Sequence, residues 1–162
     1  MDAFFLKQVV HEGKLRYRDG EYLDTKRNGD SGYLLRLLGF ELLLKAVLYY
    51  DKKQEDYSHN YYAVYCTLSR PLKQVLLSEA QKASQIFDIK DRIENLLKWY
   101  EYNFVRLRYP FQSYKSMSES EYQGYSDLYT ELGCPDGEAE FEYYPEELRG
   151  LFLALEAYLD EK

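Results

Sequence analysis

Apolar residues return every three or four positions along residues 89–107, where Ile89, Ile93, Leu96, Leu97, Tyr100, Phe104 and Leu107 fall on one face. That period predicts an amphipathic helix. Asp88 suits its N-cap, and Pro110 disfavours helical geometry at the residue before it, so the helix should end near Arg108-Tyr109. Residues 148–159 repeat the pattern with Leu148, Leu151, Phe152, Leu155 and Leu159, behind a Tyr144-Pro145-Glu146-Glu147 start. Proline and acids suit a first turn, where the helix dipole favours negative charge. Residues 33–50 differ. Leu34, Leu37, Leu38 and Leu48 point one way, while Phe40, Leu43 and Val47 point roughly the opposite way. A helix apolar on nearly every side belongs in the middle of a bundle.

The other segments read as shorter helices and turns. Residues 3–18 carry a mixed pattern compatible with an opening helix that Gly13 breaks. Residues 26–32 are dense in turn formers, with Asp30 or Ser31 available to cap the central helix. A polar loop at 51–58 leads to a short helix over 59–68, and Pro71 suits the first turn of a helix carrying Leu72, Val75, Leu76, Leu77, Ala80 and Ala83. Ser118-Glu119-Ser120-Glu121 can cap a helix that runs to about Leu132 and stops at Gly133. Cys134-Pro135-Asp136-Gly137 reads as a turn. No convincing run alternates as a strand would. The expected fold is therefore all-α: a helical bundle over residues 1–112 with an acidic helical extension, residues 113–162, packed on it.

Charge sharpens that division. The 162 residues carry a net charge of −7, with 21 basic against 28 acidic side chains. From residue 113 onward, Lys115, Arg149 and Lys162 face thirteen acids, a net −10, which leaves residues 1–112 at +3. The overall balance argues against the whole-surface attraction to phosphate of a strongly basic nucleic-acid binder, so such a contact has to be local. Nineteen tyrosines, each an apolar ring with a polar tip, favour half-buried surfaces and interfaces. The start, Met1-Asp2-Ala3-Phe4-Phe5-Leu6-Lys7, lacks a positively charged leader ahead of a long apolar block. Arg36, Glu41 and Lys45 interrupt the most apolar stretch. Cys66 and Cys134 form no metal or redox motif. A reduced, cytoplasmic protein with no membrane contact is expected.

Three features in order carry a resemblance: the stretch Leu38-Gly39-Phe40-Glu41-Leu42-Leu43-Leu44-Lys45-Ala46, a helix opening His59-Asn60, and a helix ending Arg106-Leu107-Arg108-Tyr109-Pro110. In this order and spacing, residues 33–112 resemble the HEPN superfamily of small helical-bundle domains. The resemblance implies a homodimer, and in many members a metal-independent ribonuclease whose signature is an arginine and a following histidine with four to six residues between them. This chain departs from it. Its two histidines, His11 and His59, both precede the arginines. Phe111, Gln112 and Ser113 stand where a histidine should follow Arg106, and Ser113, Tyr114 and Lys115 where it should follow Arg108. Arginine binds phosphate but is too basic to take a proton.

The expectation is thus a non-catalytic module acting by homodimerisation and by protein or nucleic-acid association, in a bacterial type of stress or defence system. The alternative is a divergent RNA-processing or nucleotide-binding protein using Arg106 and Arg108. Candidate phosphate- or RNA-binding residues are Arg106, Arg108, His59 and Tyr109. Glu41 and Lys45, four apart, form a candidate polar pair in the central helix. No catalytic residue, metal ligand or cofactor is assigned. The discriminating question is whether the two arginines line an open cleft or are covered by the acids of the tail.

Overall fold

The computed structural model describes residues 2–26, 29–86, 88–133 and 141–162. Among these residues the regular structure is all-helical: α1 (Ala3–Asp24), α2 (Asp30–Lys52), α3 (Tyr61–Thr67), α4 (Arg70–Ser84), α5 (Ile89–Arg106), a 3₁₀ turn (Pro110–Tyr114), α6 (Glu119–Glu131) and α7 (Pro145–Asp160). The turn expected at 134–137 lies outside the described residues, as do residues 27 and 28 of the one expected at 26–32.

Helix α2 is the centre of the bundle. It packs against α1, α3, α5 and α7, and Leu37, Phe40, Leu43, Leu44, Ala46, Val47 and Leu48 are all buried. The apolar surface that runs around this helix is therefore largely covered within one chain. Helix α7 closes the core beside α4, and its Phe152 stacks on Tyr17 of α1 with ring centroids 3.7 Å apart. Buried Arg36 ties these parts together, donating to the Pro145 carbonyl at 2.7 Å and to Tyr17 and Asp24 at 3.3 Å.

Helix α1 runs unbroken through Gly13, contrary to expectation, and the reason is tertiary. A Cβ on Gly39 would lie 2.6 Å from the Gly13 carbonyl oxygen, and one on Gly20 would lie 2.5 Å from that of Gly32. Seven residues separate the glycines on each helix, and the pairs meet in antiparallel register. This seam lets two backbones approach closer than side chains would allow, which outweighs glycine's poor helix propensity.

Helix boundaries reflect local chemistry. Asp2 accepts from the Phe5 amide at 2.7 Å, and Asn60 accepts from the Ala63 amide at 2.8 Å to start α3. At α6, Ser118 and Glu121 form a reciprocal capping box. Helix α6 is otherwise unlike its neighbours, because its described side chains are exposed. Among the described residues, no helix is long and apolar enough to cross a membrane.

Candidate functional site

The start of α3 crosses the middle of α2 and faces one side of α5. That crossing brings together four of the residues singled out from the sequence. Glu41, only 4% exposed, receives three donors: Lys45 Nζ at 2.7 Å, Tyr61 Oη at 2.9 Å, and His59 Nδ1 at 3.1 Å from both carboxylate oxygens. A carboxylate burdened with desolvation needs such partners. Lys45 reaches it by i, i+4 spacing, whereas His59 and Tyr61 reach it only through the fold.

A carboxylate accepts and does not donate, so the hydrogen between it and His59 sits on Nδ1. Nε2 is then the unprotonated nitrogen of the neutral ring. The His59 side chain is 43% exposed, and its ring packs on Phe104 with centroids 5.0 Å apart. Arg108 packs on the same ring, its Cζ 4.7 Å from the Phe104 centroid. Phe104 itself is buried. From α5 it offers one apolar ring on which both an imidazole and a guanidinium pack.

Arg106 serves another face, as the helical angle requires. Its Cζ lies 5.5 Å from the ring of Tyr102, and it lines an open cavity of about 530 Å³ with Asn60, Tyr62, Lys98 and Glu101. Tyr109 does not join either group; it is half exposed and meets Phe111 edge-on. Both arginines are exposed, and neither is ion-paired with any acid among the described residues.

Burial sets the electrostatics around the cluster. Tyr61 is held well above the ordinary tyrosine range, first by desolvation and then by the charge and hydrogen bond of Glu41, with Arg108 opposing. It is a fixed donor here. Glu101 is also raised by desolvation, against the charge of His59. No cluster of His, Cys, Asp or Glu suited to a metal ion occurs among the described residues.

Several contributors escaped the sequence reading. Phe104 counted as a core position of the α5 stripe, and nothing local marks it as a ring that two polar side chains share. Glu101 was not singled out. Tyr61 and Tyr65 are buried, whereas Tyr62 lines the cavity. Asn60, not His59, caps the start of α3.

Fold and site together define an all-α helical bundle in which an imidazole held by a buried carboxylate and an exposed guanidinium pack on one phenylalanine ring. No family model, curated protein or solved structure matches the chain.

Proposed function

We propose that this protein is an RNA-binding helical bundle of HEPN-like type, in which Arg108 holds a backbone phosphate and His59 transfers a proton beside it. One observation carries the reading: an exposed imidazole, oriented by a buried carboxylate, shares the Phe104 ring with an uncovered arginine. A guanidinium matches phosphate oxygens with paired donors. An imidazole whose Nδ1 hydrogen is committed to Glu41 offers Nε2 as the acceptor, and the resulting imidazolium stays paired to that carboxylate. This arrangement supplies, from the loop just before α3, the imidazole that does not follow either arginine in sequence. Of the two readings drawn from the sequence, the uncovered arginines favour the nucleic-acid one.

The test measures binding and cleavage of single-stranded and structured RNA by wild type, Arg108→Ala, His59→Ala and Glu41→Gln. Arg108→Ala should weaken binding about tenfold or more, the worth of a charge-assisted contact of at least about 1.4 kcal/mol. His59→Ala should abolish any cleavage while largely keeping binding. Wild-type protein that binds no RNA at low salt would overturn the proposal.

A second reading, association with another copy or another protein, is favoured by α6. Tyr122, Tyr125 and Leu128, with Leu132 just beyond, form an exposed apolar stripe. Light scattering of wild type against Leu128→Glu tests it: self-association abolished by the substitution supports it, and a wild-type monomer at tens of micromolar opposes the homodimer.

A further inference from the structure

The cavity beside the His59 cluster lies between the start of α3 and the outer face of α5. Three properties of its lining bear on what it holds. The first is aromatic surface: Tyr62 and Tyr102 line it, and Trp99 meets Tyr102 edge-on at 5.4 Å in an adjoining hollow of about 500 Å³. The second is charge. Lys98 is engaged by Glu94 at 2.5 Å, which leaves Arg106 as the cation without an ion pair among the described lining residues. The third is a hydrogen-bond pattern. Glu101 has no hydrogen-bond partner among the described residues. Asn60 spends its Oδ1 on the Ala63 amide, so its side-chain NH₂ remains as a donor.

We propose that this cavity is a nucleobase pocket selective for guanine, with the base stacked on Tyr102, its N1–H and N2–H donating to Glu101, and its O6 accepting from Asn60. The proposal rests on the RNA-binding reading and names the specificity of the surface next to Arg108. A volume of about 530 Å³ lies within the range of small-molecule sites. Exposed aromatic rings and guanidinium planes are the surfaces on which unpaired bases stack.

The selectivity follows from donor and acceptor order. A carboxylate only accepts, and guanine alone among the four RNA bases shows two adjacent donors on its Watson–Crick edge. Adenine and cytosine place a ring acceptor beside their amino group, and uracil flanks its single N–H with two carbonyls, so each would set lone pairs against Glu101. The desolvation that raises the Glu101 carboxyl marks a carboxylate short of donors, which a guanine edge supplies. Arg106, over Tyr102, is placed for the attached phosphate.

Trp99 is the only tryptophan in the chain and borders the pocket, so its fluorescence reports occupancy. Wild-type protein is titrated with the 5′-monophosphates of guanosine, inosine, adenosine, cytidine and uridine. Guanosine monophosphate should bind at least about tenfold more tightly than the adenosine, cytidine and uridine nucleotides, because a mismatched edge leaves the half-buried Glu101 carboxylate without donors. Inosine monophosphate, which keeps N1–H but lacks the 2-amino group, should bind several-fold more weakly than the guanosine nucleotide. Glu101→Gln, checked for unchanged helicity, should erase the guanosine preference, whereas Lys82→Ala, on the exposed side of α4, should keep it. Equal affinity for all five nucleotides, no fluorescence response to any of them, or a preference that survives in Glu101→Gln would overturn the pocket. Arg108-dependent RNA binding that persists in any of those outcomes would leave the functional reading standing.

Discussion

His59 Nδ1 lies 3.1 Å from both carboxylate oxygens of Glu41, although eighteen residues and a loop separate them. Glu41 is therefore a hub: it holds the imidazole in place, pairs with Lys45 and receives the hydroxyl of buried Tyr61. Each partner limits the cost of placing a carboxylate 4% exposed inside a bundle.

Glu41→Gln should accordingly destabilise the protein. The substitution leaves the Lys45 ammonium, only 16% exposed, without its counter-charge. Breaking a pair in such surroundings costs about 2–3 kcal/mol, below the value for a fully buried pair because Lys45 retains some water. Adding Lys45→Met removes the orphaned charge and should restore much of the loss, as read by urea denaturation. A double variant no more stable than Glu41→Gln would show that the ammonium was not the source.

The glycine seam makes a second, steric prediction. A Cβ on Gly39 would sit 2.6 Å from the Gly13 carbonyl oxygen and 2.8 Å from the Tyr17 backbone nitrogen, neither of which can swing aside. Alanine gains about 1 kcal/mol of helix propensity over glycine, but forcing α1 from α2 costs more. Gly39→Ala should lose about 2 kcal/mol net, lowering Tm by about 4–8 °C for a chain of this size. Gly124→Ala in α6, where nothing lies within 4 Å, should show no such loss.

The two substitutions mark where local pattern and tertiary structure part. Periodicity made α5 and α7 legible because a 3.6-residue repeat is imprinted in the sequence itself, and the all-round apolar character of residues 33–50 marked α2 as central. Gly13 misled because propensity is local, whereas the close approach of Gly39 is a property of two helices. The Glu41–Lys45 pair was legible from i, i+4 spacing. Its link to His59 was not, since that depends on how the 53–60 loop returns α3 across α2. Arg106 and Arg108, named from the sequence, pack on different rings, and the Phe104 contact and the Glu101 pocket exist only where α3 meets α5.

Helix α6 supports a prediction about local stability. It spans thirteen residues with its described side chains exposed, and a helix that short is marginal without packing. Its amides should open without unfolding the bundle, and those of α2 only with global unfolding. Hydrogen exchange should therefore show α2 amides protected at least about 10³-fold more than those of α6. Equal protection would mean that α6 is docked in solution, on a second copy or on the bundle itself.

Alkaline pH should unfold the protein through its tyrosines. Burial raises Tyr17 to about 12 and lifts Tyr33, Tyr61 and Tyr100 above their ordinary range, and all four rings are at most 5% exposed. In the unfolded chain each would ionise near its usual value of about 10. A folded value above the unfolded one means that the native state holds protons that the unfolded state releases. The stabilisation is therefore complete below about pH 10 and is lost as pH rises towards the folded values. Each group withdraws about 1.4 kcal/mol per pH unit in that window, and four together about 6. A domain stability of about 5–15 kcal/mol is thus consumed within roughly one to three units. Tyrosinate absorbance should rise in two phases, the exposed rings first and reversibly. The buried rings should ionise later, in a steep step that coincides with loss of far-ultraviolet circular dichroism. Complete ionisation near pH 10 with helicity intact would show that these rings reach solvent in the native state, and the packing of Tyr17 on Phe152 would then have to be wrong.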